Sequence, residues 1–178
     1  VHGAAGGIGT ATIQLAAALG ARVISVVSTP EKAEFVKSIG SHEAVLADGF
    51  KDAAKELTGG QGVDMVIDPV GGDRFTDSLR SLAPLGRLLI IGFTAGDIPT
   101  VKVNRLLLNN VDVRGVGWGA YALPRAGYMR QEWDRLVPFL TSGAVDPPIS
   151  GRFPLERAGE AVARLGDRTV LGKVVIEP

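Results

Sequence analysis

The sequence predicts an α/β fold built on a doubly wound parallel sheet. Three observations predict it: strand-like and helix-like segments alternate, helices of about ten residues separate the strands, and a glycine-rich loop occupies residues 3–9. Parallel strands joined by helices form right-handed crossovers, and six such strands behind a glycine loop are typical of the Rossmann arrangement.

The individual elements follow from apolar periodicity and from stop residues. Strand-length runs rich in Val, Ile and Leu are found at 22–27, 44–46, 63–68, 88–92 and 111–116. Helical spacing or helix-start residues predict helices at 7–19, 30–39, 50–57, 73–82 and 129–140. Gly20 and Gly40 are helix stops, Asp73 is a plausible N-cap, and Pro138 should bend or interrupt the last helix.

The two ends of the chain differ from this alternating pattern of strands and helices. Val1-His2-Gly3 leads directly into the glycine loop, so we expect these residues to be the end of a strand that is longer in the parent protein. Pro147-Pro148 marks a break, and the tail is expected to form a strand at 149–153, a helix at 155–165 and a strand at 173–176. We therefore divide the chain into a dinucleotide-binding domain, 1–146, and a C-terminal segment, 147–178.

Composition excludes several classes of function. The 178 residues carry 19 basic and 19 acidic side chains and no cysteine. A formal charge of zero gives no long-range attraction to nucleic acid or to an anionic membrane, and no apolar run reaches the roughly 18–20 residues of a membrane span. Without cysteine there is no disulfide, thiolate metal site or Cys nucleophile, which is compatible with a reducing compartment, and we expect a cytoplasmic protein with no metal site.

The glycine loop predicts a phosphate site. Relative to the pattern G-x-G-x-x-G, Ala4 replaces the first glycine, whereas Gly6 and Gly9 fit the second and third positions. Gly7 adds a position without a side chain at the helix start. Backbone N–H groups and the helix dipole would stabilise a diphosphate there. Flavoproteins and methyltransferases share such loops.

The end of the second predicted strand distinguishes between ligands. An NAD site places Asp or Glu there for the ribose hydroxyl, but this chain has Ser28 and Thr29. Lys32 follows one helical turn later, where its ammonium could reach a 2′-phosphate, so NADP(H) is favoured. The alternatives are that Lys32 is an ordinary solvated lysine and that Glu31 opposes the phosphate. A methyltransferase would need an acidic residue where Ser28 stands.

Five stretches together resemble the quinone oxidoreductases, the zeta-crystallin-like branch of the zinc-independent medium-chain dehydrogenases/reductases. They are VHGAAGGIG at 1–9, DPVGG at 68–72, GRLLIIGF at 86–93, WGAY at 118–121 and GKVV at 172–175. They occur in the family's order and at its spacing over essentially the whole chain. The resemblance implies that the tail returns to a catalytic domain, most of which is absent from this sequence.

The resemblance also implies cofactor-binding roles for ten residues. Gly6, Gly7 and Ile8 would hold the pyrophosphate, Ser28 and Lys32 the 2′-phosphate, Gly92 and Phe93 the nicotinamide, while Val70, Trp118 and Lys173 would lie along the cleft. Many relatives carry a Tyr after the third strand. This chain has Leu46-Ala47-Asp48 there, and an inward-pointing Asp48 would weaken the preference for a 2′-phosphate.

Other polar and aromatic residues have simpler interpretations. His2 is expected to be structural, His42 to lie on a surface loop, and Asp68 to help end its strand rather than pair with Asp64. Trp118 could equally be an aromatic core or interface residue. No residue is convincing as an acid or base, so the catalytic residues stay unknown.

These observations predict an NADPH-dependent oxidoreductase that transfers hydride to a quinone, an enone or a related conjugated carbonyl of small size. The isolated chain should have little activity, since the substrate pocket lies between two domains. The family resemblance implies a homodimer through the sixth strand, 111–116. The alternative is a nucleotide-binding or structural module without turnover.

Overall fold

The computed structural model describes every residue from Val1 to Pro178. The strands are β1 Ile24–Val27, β2 Glu43–Leu46, β3 Val63–Asp68, β4 Leu82–Ile90, β5 Asp112–Gly115, β6 Ile149–Pro154 and β7 Lys173–Glu177. The helices are α1 Gly7–Ala18, α2 Pro30–Ser38, α3 Phe50–Leu57, α4 Phe75–Ser81, α5 Asn104–Asn109, α6 Trp118–Ala122, α7 Tyr128–Thr141 and α8 Ala158–Gly166. None of the helices combines the length and apolar character needed to cross a lipid bilayer.

Residues 1–4 join two groups of parallel strands. β2 pairs with β1, and β3, β4 and β5 pair in that order. The N–H of Val26 donates to the carbonyl of Val1 at 2.8 Å on one side, and the N–H of His2 donates to Ile67 at 3.0 Å on the other. The spatial order is therefore β2, β1, residues 1–4, β3, β4, β5, which is the strand order of the doubly wound dinucleotide fold and confirms the predicted fold class.

Two apolar clusters support the carboxyl ends of these strands. Ile13 of α1 and Val36 of α2 are fully buried with Ala4 beside β1. Leu88 of β4 is fully buried with Phe75 and other members of the second cluster. Burying a side chain of this size contributes roughly 1.5–3 kcal/mol, so the clusters fix α1 and α4 against the sheet and thereby the loops at its edge.

The structure differs from the sequence prediction at several places. β4 spans Leu82–Ile90, whereas a strand was predicted at 88–92 and a helix through residue 82. Asp73 was expected to cap a helix, but it lies in a 3₁₀ turn, Gly72–Arg74, and makes no capping hydrogen bond. α7 continues through Pro138, so of the two effects expected of this proline the interruption does not occur. The short helices α5 and α6 were not predicted, because six and five residues are too few to show helical periodicity.

The tail forms a separate parallel pair. β6 pairs with β7, and α8 packs against both strands. The N–H of Gly172 donates to the carbonyl of Ala5 at 2.8 Å, and Gly6 and Gly172 form an isolated parallel bridge. The end of the tail is therefore attached directly to the glycine loop.

Leu85 should be a source of strain. It has φ of 65° and is 83% exposed. A left-handed conformation costs a non-glycine residue about 1–2 kcal/mol, and glycine loses about 0.5–1 kcal/mol through its unfolded-state entropy. We expect Leu85→Gly to raise the free energy of unfolding by about 0.5–1 kcal/mol in urea denaturation.

Leu123→Gly is the matched control for that substitution. Leu123 is 74% exposed but has φ of −57°, so glycine there removes no strain and should destabilise the protein. A Leu85→Gly protein that is less stable than the wild type would contradict the strain argument.

Candidate functional site

The N-terminus of α1 is open to an anion. Gly6 occupies the N-cap position, no side chain caps the helix, and no acidic residue lies in its first turn. The N–H groups of Gly7 and Ile8 make no hydrogen bond of good geometry within the chain, although that of Gly7 faces the Gly172 carbonyl across the parallel bridge. Unpaired amides at the positive end of a twelve-residue helix stabilise negative charge close to them.

The glycines of this loop have different structural roles. A Cβ atom on Gly9 would lie 2.5 Å from the Cα and O atoms of Ala4, so Gly9 lets α1 pack against residues 1–4. A Cβ atom on Gly6 would meet nothing closer than the carbonyl of Gly3 at 3.4 Å. Gly6 therefore leaves free space at the helix start, while Gly9 fixes the helix on the strand.

Lys173 brings a positive charge to the same helix start. Its Nζ donates to the carbonyl of Gly7 at 3.3 Å and would lie 3.0 Å from a Cβ atom on Gly7. The ammonium thus lies beside the first residue of α1, and a larger residue at Gly7 would displace the lysine.

A second cationic group lies at the end of β1. The Nζ of Lys32 donates to the Oγ of Ser28 at 3.2 Å and to the carbonyl of Arg168 at 3.0 Å. No carboxylate forms a salt bridge with Lys32. The lysine is therefore oriented by neutral oxygens while its charge stays available to a ligand.

Sequence reasoning missed Arg168. It lies 136 positions from Lys32, and it adopts φ of 56°, which is rare for a non-glycine residue. Its backbone is held beside Ser28, and its side chain is exposed. The one sequence feature that points to it is its position four residues before Gly172, which the resemblance already placed near the cleft.

The acidic residues near this group do not pair with it. Glu31 lies at the start of α2, where its backbone N–H and the Thr29 hydroxyl keep the pKa of the Glu31 carboxyl below its usual range. Asp48 is exposed and lines a surface cavity of about 320 Å³ together with Phe50 and Arg74. Neither carboxylate forms an ion pair with Lys32.

The ends of β3 and β4 are tied together by backbone contacts. The buried Asp68 accepts hydrogen bonds from the N–H groups of Val70 at 2.8 Å and Gly71 at 2.9 Å. A Cβ atom on Gly71 would lie 2.9 Å from the Phe93 ring, and one on Gly92 would lie 3.4 Å from the carbonyl of Pro69.

These contacts bring three of the predicted site residues together. One edge of the sheet holds Val70, Gly92 and Phe93. Val70 also faces Gly3, since a Cβ atom built on Gly3 would lie 3.1 Å from Val70 Cγ2. Trp118 begins α6 just after β5 and is half exposed. The side chain of Asp68 is used to shape the turn and is not free for chemistry.

The two histidines have structural contacts. His42 Nδ1 accepts a hydrogen bond from the N–H of Val23 at 3.1 Å. His2 is buried, with Nε2 2.9 Å from Ser78 Oγ and its ring edge-on to Phe50. The Ser78 hydroxyl also donates to the carbonyl of Arg74, so Nε2 of His2 is the donor in this pair.

Stability should fall on acidification because of His2. Burial lowers the pKa of His2 from 6.5 to about 4; the positive charge of Arg74 acts in the same direction, and Asp68 acts against it. The unfolded chain therefore binds this proton first, and we expect up to about 3 kcal/mol of unfolding free energy to be lost between pH 6.5 and 4. Urea denaturation across this range measures the loss.

His2→Gln is the matched variant, because glutamine can still donate to Ser78 but does not titrate. The difference in free energy of unfolding between the wild type and His2→Gln should be constant above pH 6.5 and should change below it. Parallel pH profiles would show that His2 does not contribute.

The profile of one dehydrogenase family matches residues 7–142, and its description is "Zinc-binding dehydrogenase". The chain belongs to this family. Within the zinc-binding dehydrogenase family it falls in the zinc-independent quinone oxidoreductase branch, as its motifs indicated. No group of three or more His, Cys, Asp or Glu side chains in the chain could hold a metal ion.

Individual relatives agree with this placement. The chain is 35% identical to quinone oxidoreductase-like protein 2 of Rattus norvegicus over 99% of this chain and 51% of the relative. It is 33% identical to a 2-haloacrylate reductase of Burkholderia sp over 100% of this chain and 54% of the relative. The structure of Escherichia coli quinone oxidoreductase complexed with NADPH superposes with a TM-score of 0.89 at 27% identity, covering 99% of this chain and 56% of that chain. The chain thus spans about half the length of the relatives it matches.

Proposed function

We propose that this chain is the cofactor-binding part of an NADPH-dependent oxidoreductase that reduces a quinone, an enone or a related conjugated carbonyl. The observation that carries the proposal is the Lys32 ammonium beside Ser28, in the place where an NAD site needs a carboxylate. The relatives that are named as a quinone oxidoreductase and a 2-haloacrylate reductase support the choice of acceptor.

The residues fit a dinucleotide phosphate along one edge of the sheet. The free amides of Gly7 and Ile8 would bind the diphosphate, with Lys173 opposite them. The Ser28 hydroxyl and the Lys32 ammonium would bind the 2′-phosphate, and the Arg168 guanidinium would reach it from the tail. These cations and donors occupy two places, one at the glycine loop and one at the end of β1, as the two phosphate groups of the cofactor require.

The nicotinamide end is apolar. Gly92 and Phe93 would line it, Val70 would lie beside it, and Trp118 would stand at its mouth. When bound, the cofactor supplies the hydride. The apolar side chains orient the ring and exclude water, so close approach of donor and acceptor supplies much of the rate.

No side chain in this part of the molecule is a convincing proton donor. Asp68 is buried and already accepts two backbone N–H groups. We therefore propose that a second domain supplies most of the acceptor pocket and that residues 147–178 return to it, while residues 1–146 hold the cofactor. The family's length supports this division, because relatives are about twice as long.

We also propose that two copies of the protein associate through β5. This strand pairs only with β4, and three of its four residues are exposed, so its other edge offers free backbone donors and acceptors. Size-exclusion chromatography with light scattering tests the association, and a strictly monomeric protein would contradict it.

The cofactor assignment is tested by isothermal titration of the chain with NADPH and NADH. We expect NADPH to bind more tightly, since only it carries the phosphate for Lys32 and Arg168. Equal or reversed affinity would overturn the assignment. NADPH oxidation by the full-length protein with a panel of small quinones and enones tests the reaction itself, and a protein that binds NADPH without oxidising it would instead be a non-catalytic module.

A further inference from the structure

Gln14 makes a two-point contact that the cofactor site does not explain. It lies near the middle of α1, and its Nε2 donates to the carbonyl of Asp146 at 2.9 Å while its Oε1 accepts from the N–H of Asp146 at 3.0 Å. The two residues are 132 positions apart. A side-chain amide is the smallest group that satisfies both backbone groups of one residue at once, so Gln14 fixes where the chain passes α1.

The segment held by Gln14 positions the end of the tail. Two residues after Asp146, the carbonyl of Pro148 accepts a hydrogen bond from the N–H of Lys173 at 2.9 Å. Gly172 packs so closely on Pro148 that a Cβ atom there would collide with the Pro148 carbonyl oxygen. A shift of this segment would therefore be passed on to Gly172 and Lys173.

Lys173 in turn contacts the start of the helix that carries Gln14. Its Nζ donates to Gly7, and the N–H of its neighbour Gly172 donates to Ala5 at 2.8 Å. These contacts therefore form a closed series, which leads from α1 through Asp146, Pro148 and Lys173 back to α1. The Lys173 side chain is exposed and its Nζ has one hydrogen-bond partner, so its position depends on how firmly its backbone is held.

We propose that Gln14 is a positioning residue, which holds Lys173 at the N-terminus of α1 and thereby raises affinity for the diphosphate of the cofactor. This inference rests on the proposed function. The contact is solvent-exposed, so its loss lets water replace both hydrogen bonds and leaves the fold intact. The effect should then appear in ligand affinity.

The test compares Gln14→Ala with Gln131→Ala in the full chain. Gln131 lies on α7, is exposed, and its side chain has no hydrogen-bond partner in the chain, so the same substitution there is a matched control. We expect NADPH to bind about five-fold more weakly to the Gln14→Ala protein and unchanged to the control. Gln14→Glu keeps the hydrogen-bond acceptor but loses the donor, so its affinity for NADPH should lie between those of Gln14→Ala and the control.

A double-mutant cycle shows whether the effect passes through Lys173. Lys173→Met should weaken NADPH binding by itself, and Gln14→Ala should cause no further loss in that background. Amide hydrogen exchange without ligand gives a second readout: the N–H groups of Gly172 and Lys173 should exchange faster in Gln14→Ala than in the control.

The outcomes separate this inference from the proposed function. A wild-type chain that does not bind NADPH overturns both. If the wild type binds NADPH, then three results each overturn the role of Gln14 alone: unchanged affinity of Gln14→Ala, strictly additive losses in the cycle, or no effect of Lys173→Met. Should Gln14→Ala fail to fold, the same cycle is run with Gln14→Glu.

Discussion

Replacing Gly9 with alanine should destabilise the protein by about 3 kcal/mol or more and abolish cofactor binding. The added methyl group would lie 2.5 Å from the Cα and O atoms of Ala4 and would also meet the carbonyl of Gly3. All of these are backbone atoms, so no side-chain rotation relieves the overlap. α1 would have to move away from residues 1–4, and with it the free amides of Gly7 and Ile8.

Urea denaturation and NADPH titration measure the two effects of Gly9→Ala. Gly159→Ala is the matched control: it lies in α8 and a methyl group there has no neighbour within 4 Å, so alanine should be neutral or stabilising by up to about 1 kcal/mol. A Gly9→Ala protein with wild-type stability and affinity would disprove the close packing described for the loop.

Lys32→Ala should weaken NADPH binding by about ten- to thirty-fold and leave NADH binding unchanged. A charge-assisted hydrogen bond to a phosphate contributes about 1.5–3 kcal/mol, and the lower part of that range applies because Lys32 is only half-buried. The two cofactors differ only in the 2′-phosphate, so the ratio of their dissociation constants isolates this contact from any general damage to the site.

Lys37→Ala controls for loss of a positive charge on the same helix. Lys37 lies at the other end of α2 and pairs with Glu34 at 3.5 Å, so its removal should not change the preference between cofactors. Equal losses for NADPH and NADH in Lys32→Ala, or no loss at all, would show that the 2′-phosphate does not lie at Ser28.

The sequence predicted the parts of the fold that local pattern controls. β3 was predicted at its observed bounds, and α1 and α2 within a residue at each end, because apolar periodicity and glycine stops are local properties. α5 and α6 are too short to carry such a pattern. Asp73 fails as a cap because the chain makes a 3₁₀ turn before α4, and α4 begins at the buried Phe75.

The residues of the candidate site also divide into those that a local sequence pattern indicates and those that it does not. Gly6, Gly7, Ser28 and Lys32 were predicted as site residues because the loop and the strand end lie close in sequence, and the fold places each at the sheet edge. Arg168 and Gln14 act on partners more than 130 positions away, so only the three-dimensional arrangement reveals them. Long-range hydrogen bonds of this kind leave no periodicity in a single sequence.

The junction formed by residues 1–4 has a consequence for the cooperativity of unfolding. The two apolar clusters lie on opposite sides of it, and backbone hydrogen bonds from Val1, His2 and Ala4 link the strand groups. A dinucleotide would span this junction, with its adenosine beside one cluster and its nicotinamide beside the other. Coenzyme would then act as a crosslink that makes the two halves unfold as one unit.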